Sequence, residues 1–405
     1  MTALPLSEPM APAVRGFALF EAGFRVFFIV APLYAACALV HWIMIYLGVI
    51  EPPAMASPML WHAHEMIYGF AAAGVAGFFL TAVPNWTGAP FVRGLPLALL
   101  ASVWLLGRIA MNAGPAVPPV VAAALDLAFL PILAVLVAPP LLRNGIGRNA
   151  VLLVVLVALW GGDLAMQAEL TGPSLGIDAE SGARGARVAI DILALLITVI
   201  GGRIVPAFTT SFLKLRGERR LPRSSSLLDR LAIGSMVLVL VAEVVSGGGP
   251  VTGAIALAAA LIQAVRLAGW RGLATARAPI LFVLHLGYAW LVIGLALKGA
   301  AAFIDALPET AALHALTVGA VGTMMTAVMS RAALGHTGRK LVAHPVTVAA
   351  YALVSLAALL RVVAGVAPGI AVLVIAGIAW SLAFALFLAV YAPILVRPRV
   401  DGQPG

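Results

Sequence analysis

Two histidines, a carboxylate and an uncharged apolar run share one stretch of this 405-residue chain. It reads Trp61-His62-Ala63-His64-Glu65, continues apolar to Val83 and ends in Pro84-Asn85-Trp86-Thr87-Gly88. Neutral imidazole is an ordinary ligand for zinc, copper and haem iron, and a neighbouring carboxylate can carry protons. The spacing limits that chemistry. On a regular helix, residues two apart point about 200° apart, so His62 and His64 cannot share one ion there. In an extended first turn they lie on one face and can chelate together. Either the helix start is irregular and both bind one copper, or the two histidines serve different centres.

Only seven histidines occur in the chain. His314 opens another apolar run and, by the orientation derived below, lies at the depth of His62 and His64. These three are the candidate metal ligands of one layer, with a hydrogen-bonded interfacial histidine as the plain alternative for any one of them. A second group sits toward the opposite face: His285 with Tyr288 one turn on, His336, and Arg203 in Gly201-Gly202-Arg203-Ile204-Val205-Pro206. A buried neutral imidazole such as His285 suits haem or copper equally. A helix-to-helix hydrogen bond accounts for it as well. His344 reads as a solvated loop residue, and His41 beside Trp42 needs no function.

Long apolar helices must carry these residues. The chain is 63% hydrophobic and 10% charged, with mean hydropathy +1.08, too little polar surface to cover a soluble globule. A span needs roughly 20 apolar residues, which gives about twelve spans in one all-α transmembrane domain over 1–405. They run near Phe24–Val49, Met59–Val83, Leu95–Asn112, Val117–Leu142, Asn149–Leu170, Arg187–Phe208, Leu228–Val245, Val251–Trp270, Pro279–Ala300, Ala311–Arg331, Pro345–Gly365 and Gly369–Leu395. Arg and Lys gather in alternate connections, notably Lys214 to Arg230, and near both termini (Arg15, Arg25, Arg397, Arg399). The positive-inside rule puts that side, and both termini, in the cytoplasm. The net charge of +9 then reflects cytoplasmic loops rather than nucleic acid.

On this orientation Arg108, Asp163, Asp191, Glu243 and Arg361 fall in the outer half with His62, His64, Glu65 and His314, and Asp126 lies nearer the middle. So many ionisable groups in one layer predict a shared polar cavity, with structural pairs such as Arg108–Asp163 as the alternative. Gly74-x-x-Gly77-x-x-x-Thr81-Ala82-Val83 recurs as Gly319-x-x-Gly322-x-x-x-Thr326-Ala327-Val328, a weak hint of three four-helix repeats. A single cysteine, Cys37, excludes disulfides and a cysteine-based metal site. There is no Walker loop, no dinucleotide fingerprint and no C-x-x-C-H, so no nucleotide is expected and any haem is non-covalent. Met1 to Ala13 lack the order of a removable leader.

Trp61 to Met66 with Thr81 to Gly88, Gly202 to Thr209, His285 to Trp290, and His314 through Gly319, Gly322, Met329-Ser330-Arg331 and Gly335 to Arg339 together resemble the NnrS family. Ser330 stands where threonine is expected. The resemblance implies a multi-pass protein of the bacterial inner membrane, haem b and copper, and protection against nitrosative stress. Its matched histidines are His62, His64, His285, His314 and His336.

The expected function is a haem and copper protein that binds nitric oxide and reduces or detoxifies it as an oxidoreductase, drawing on an unidentified electron donor. His62, His64 and His314 would hold an outer centre with Glu65 as proton relay. His285 and His336 would hold an inner one, with Tyr288 beside it and Arg203 against a haem propionate. The alternatives are a non-catalytic haem-based sensor, an assembly factor for another metalloenzyme, and a transporter of a metal or small solute.

Overall fold

The computed structural model describes residues 17–53, 57–143, 151–172 and 181–403. Met1 to Ala13, Arg15 and Arg148 lie outside the described residues. Among the described residues the chain forms helices joined by short loops, with no strand. The long ones are α1 (Gly23–Tyr46), α2 (Pro58–Thr87), α3 (Leu95–Asn112), α4 (Pro119–Leu142), α5 (Val151–Thr171) and α6 (Gly182–Leu215). They continue with α7 (Ser226–Ser246), α8 (Pro250–Ala268), α9 (Pro279–Ala301), α10 (Glu309–His336), α11 (Pro345–Val366) and α12 (Ile370–Leu395). Eleven are long and apolar enough to cross a membrane, which makes this a multi-pass membrane protein. The other, α7, has 21 residues but carries Asp229, Arg230 and Glu243.

Local chemistry sets the helix ends. Proline opens α2, α8, α9 and α11, where a missing backbone N–H costs nothing. The Ser57 hydroxyl accepts from Leu60 N at 3.3 Å and caps α2. Gly88 (φ 71°) ends α2 in the left-handed turn that glycine adopts without strain. Thr81 and Thr326 each return their hydroxyl to a glycine carbonyl four residues back, at 2.7 and 2.9 Å.

Helices α2 and α6 are the enclosed ones, with 89% and 78% of their most apolar stretch buried, against 33% for α11. Polar groups on α2 therefore face protein rather than lipid. Around this pair, α1 packs on α2 and α12, α5 on α6, α9 on α8 and α10, and α11 on α12. The ends of the chain meet: Ala18 N donates to Val396 O at 3.0 Å, and Arg25 Nη1 donates to the carbonyls of Leu395 (2.8 Å) and Arg397 (2.7 Å). By alternation, α2, α6 and α10 all start at the opposite end of the bundle. Both α2 and α10 widen into π-helical turns directly after a histidine, at Glu65–Ala71 and Ala315–Gly322. Such insertions concentrate at functional sites.

A candidate metal centre beside an imidazole-lined cavity

The first turns of α2 are regular from Pro58 to His64, so His62 and His64 diverge. They enter two different places.

His64 points into a buried polar cluster. Its Nε2 lies 2.9 Å from Asp126 Oδ2 on α4 and 2.9 Å from Asp163 Oδ1 on α5. Gln167, one turn beyond Asp163, puts its Nε2 3.1 Å from His64 Nε2 and 2.7 Å from Asp126 Oδ2. On the other edge of the ring, Nδ1 stands 3.0 Å from Glu65 Oε1. Where the π turn begins, the consecutive residues His64 and Glu65 both enter the cluster. Arg108 on α3 donates from Nη1 to Glu65 Oε1 at 2.6 Å and pairs through Nη2 with Asp126. Glu65 Oε2 accepts from the Tyr34 hydroxyl and from Asn112 Nδ2, the latter at 3.2 Å. His64, Glu65, Asp126 and Asp163 are each at most 4% exposed. His64, Asp126 and Asp163 each offer a ligand atom within 4.8 Å of the others, a grouping able to hold a metal ion.

His62 faces elsewhere, into a cavity of about 340 Å³ walled by α1, α2, α6, α10, α11 and α12, with Glu169 at the end of α5. That volume falls within the usual ligand-pocket range of about 300–1,000 Å³. Its ring stacks on Trp42, with centroids 4.5 Å apart and planes 8° from parallel. His314 lines the same cavity, as do Met66, Arg361 and Trp380. His62 is within electrostatic reach of both His314 and Arg361. His314 Nδ1 lies 2.7 Å from the Thr310 carbonyl, which can only accept, so Nδ1 carries the proton and Nε2 keeps its lone pair. Metal-binding histidines are oriented in the same way, by a carbonyl on the far nitrogen. Among the described residues, neither His62 nor Arg361 has a hydrogen bond or ion pair with another side chain. His64 and Glu65 do not line the cavity.

The second histidine group lies toward the end where the chain termini meet. His285 Nε2 is 2.9 Å from Thr209 Oγ1, whose own proton goes to Val205 O at 2.8 Å. Nε2 is therefore the donor, and Nδ1 is a buried lone pair without a partner. The ring packs edge-on to Trp270. His336 instead packs against Phe24 of α1, centroids 5.4 Å apart. No hydrogen bond or ring contact joins His285 to His336 among the described residues. The Tyr288 hydroxyl donates to Gln263 Oε1 at 2.5 Å and accepts from Arg266 Nη1 at 2.9 Å. Arg203 is half-buried on α6. His41 packs edge-on to Trp61, and His344 caps α11 through a 3.2 Å bond to Val346 N.

Several residues gain a place that their sequence positions did not announce. Arg108 pairs with Glu65 and Asp126, not with Asp163. Gln167, Tyr34 and Asn112 complete the cluster. A signal for one was present: Asp163 and Gln167 are four apart and share a helix face.

No curated protein matches the chain. The family model described as NnrS protein matches residues 18–399. From the first described helix to the last, the chain belongs to the NnrS family.

Proposed function

We propose that this is a haem- and copper-binding protein of the bacterial inner membrane that takes nitric oxide at the cavity of His62 and His314. Membership in the family suggests a role in the nitric oxide response. One observation carries the reading: two imidazoles with unclaimed nitrogens face a largely apolar cavity beside an arginine with no carboxylate partner.

The residues fit such groups. Two imidazoles with the Met66 thioether form a donor set that suits copper. Trp42, Phe70 and Trp380 offer the flat apolar walls a porphyrin needs, and Arg361 can neutralise a propionate. Bound haem iron or copper supplies the orbital that binds nitric oxide and a route for electrons.

The chain's own side chains do the rest. The Thr310 carbonyl fixes the His314 tautomer, and Trp42 holds the His62 ring in plane. A smaller apolar cavity of about 60 Å³, lined by residues such as Phe28, Ile200 and Met324, shares Leu193 and Val321 with the larger one. Nitric oxide is small and uncharged and partitions into membrane, so this apolar extension is its entry path. Glu65, with Tyr34 and Asn112 on one oxygen and Arg108 on the other, is the group that holds and passes protons near the site. His285, with its orphaned Nδ1, and His336 would be the ligands of a second, inner centre, with Arg203 and Tyr288 as its expected neighbours.

The test is an optical spectrum of the purified, dithionite-reduced protein with metal analysis. A haem Soret band that shifts under nitric oxide is expected, together with copper that His62→Ala and His314→Ala each remove. Colourless protein that stays colourless after haem loading overturns the reading. Nitric oxide consumption with an electron donor identifies an oxidoreductase, and binding without consumption identifies a sensor.

A further inference from the structure

The cluster around His64 holds more carboxyl groups than cations. Three carboxylates, Glu65, Asp126 and Asp163, are buried there with one guanidinium, Arg108. With all three carboxylates ionised and His64 neutral the group carries two net negative charges, and with His64 protonated it still carries one. Unbalanced buried charge is among the most unfavourable arrangements a protein can hold.

The hydrogen bonds are equally incomplete. His64 Nε2 faces two carboxylate oxygens at 2.9 Å and an amide N–H group at 3.1 Å. If Nε2 bears its proton, it serves one carboxylate and opposes the Gln167 N–H. If it does not, its lone pair opposes both carboxylates. No tautomer satisfies all three contacts.

A cation does. Bound to one ion, the imidazole nitrogen and both carboxylate oxygens turn their lone pairs inward together, with no proton to share among them. A fourth donor is present. Gln167 Oε1 is buried without a hydrogen-bond partner among the described residues, in a side chain only 2% exposed whose amide head faces the cluster. Amide oxygen and nitrogen exchange places by a simple flip. With an ion present, the flip turns that orphaned oxygen toward the ion and ends the clash with His64 Nε2.

From this juxtaposition we propose that His64, Asp126 and Asp163, completed by the Gln167 amide oxygen, form a binding site for one divalent cation. The site is separate from the His62–His314 cavity. One imidazole with oxygen donors selects a hard or borderline ion such as Zn²⁺ or Mn²⁺ over copper(I), which favours sulfur. The cation neutralises the two surplus charges. Glu65 and Arg108 then form the surrounding layer: Glu65 accepts from His64 Nδ1–H, which orients the imidazole, and Arg108 holds Glu65 and Asp126 in place.

The test uses full-length protein in detergent, stripped with chelator and titrated with Co²⁺ as a visible probe. In a His62→Ala/His314→Ala background, one equivalent of Co²⁺ with visible d–d bands is expected, displaced by Zn²⁺. Adding Asp163→Asn or Asp126→Asn to that background weakens Co²⁺ binding by roughly 100-fold or more, the scale on which metal sites respond to lost partners. No stoichiometric Co²⁺ in the double variant overturns the site. So does Co²⁺ binding that the aspartate substitutions leave unchanged. If the aspartate variants do not fold, X-ray absorption of the Zn²⁺-loaded double variant decides. One imidazole among oxygen donors supports the assignment, and two or more imidazoles, or any sulfur, sink it. A haem Soret band in the wild type is read separately, so loss of the cavity reading leaves this result standing.

Discussion

Two buried ionic clusters occupy the same end of this bundle, and only one is balanced. Around Lys298, two cations meet two buried carboxylates: Lys298 Nζ lies 2.6 Å from Asp191 and 3.0 Å from Glu243, and Arg187 Nε lies 2.6 Å from Glu243, with the exposed Glu309 3.5 Å away at the rim. Around His64, one guanidinium, paired with Glu65 and Asp126, shares its cluster with three buried carboxylates. The first is a charge-matched structural network joining α6, α7 and α9, although Asp191 Oδ1 is without a hydrogen-bond partner among the described residues. The second holds more carboxylates than cations. Buried charge in a membrane bundle is thus no sign of a site by itself, because it occurs in both places. The sign is the surplus.

The largest expected effect comes from unbalancing the charge-matched cluster. Lys298→Met strands Asp191 and Glu243 with one partner between them and should cost about 3–5 kcal/mol, read as a lower unfolding temperature in detergent. A variant that melts with the wild type would remove the distinction between the clusters. Next is the opposite manipulation. Asp163→Asn takes one surplus charge away, so in chelator-treated protein it should be at least as stable as the wild type. The wild type should gain about 2.7 kcal/mol from a divalent cation at 100 times its Kd, and Asp163→Asn, binding about 100-fold more weakly, about 0.4 kcal/mol or less. Equal gains in both would place the cation elsewhere.

Smaller effects sharpen the contrast. A Cβ at Gly69 would run into the Tyr34 ring and stand 3.3 Å from Arg108 Cδ. Gly69→Ala should therefore cost about 1–3 kcal/mol and disturb the Tyr34–Glu65 contact, while leaving the Lys298 cluster intact. The smallest effect belongs to an exposed pair. Arg399 beside Asp401 lowers that carboxyl from its ordinary 3.8 to about 2. Its contribution is therefore full above the ordinary aspartate range and fades only as the pH falls toward 2. At neutral pH, Asp401→Asn should leave the melting temperature within experimental scatter, because solvent screens such pairs.

Much of this was legible in the residues. Apolar run lengths located the twelve long helices among the described residues, eleven of them apolar enough to cross a membrane, because a span of lipid fixes how many residues a helix must have. The two-residue spacing of His62 and His64 already required different destinations on a regular helix. The partners were not legible. Which face of α4 and α5 meets α2 depends on packing between segments up to a hundred residues apart, and hydropathy is blind to helix rotation. Arg108 and Asp163 share a layer, so pairing them was reasonable from depth alone. In the bundle, Arg108 turns to Glu65 and Asp126, and His64 takes Asp163. The π turns after His64 and His314 leave no mark in composition, since glycine and alanine crowd every span.

One feature of the fold concerns time rather than space. Of the helices described, α12 is made after all the others, and it clasps the first: Trp380 Nε1 donates to Ala35 O at 3.0 Å and Ser381 Oγ to Ala36 O at 3.2 Å. Trp380 and Gly377 of that helix also wall the imidazole-lined cavity. During synthesis, then, one flank of the chamber stays open until α12 has been made and has docked on α1. Anything too large for the finished walls has its widest doorway before that docking.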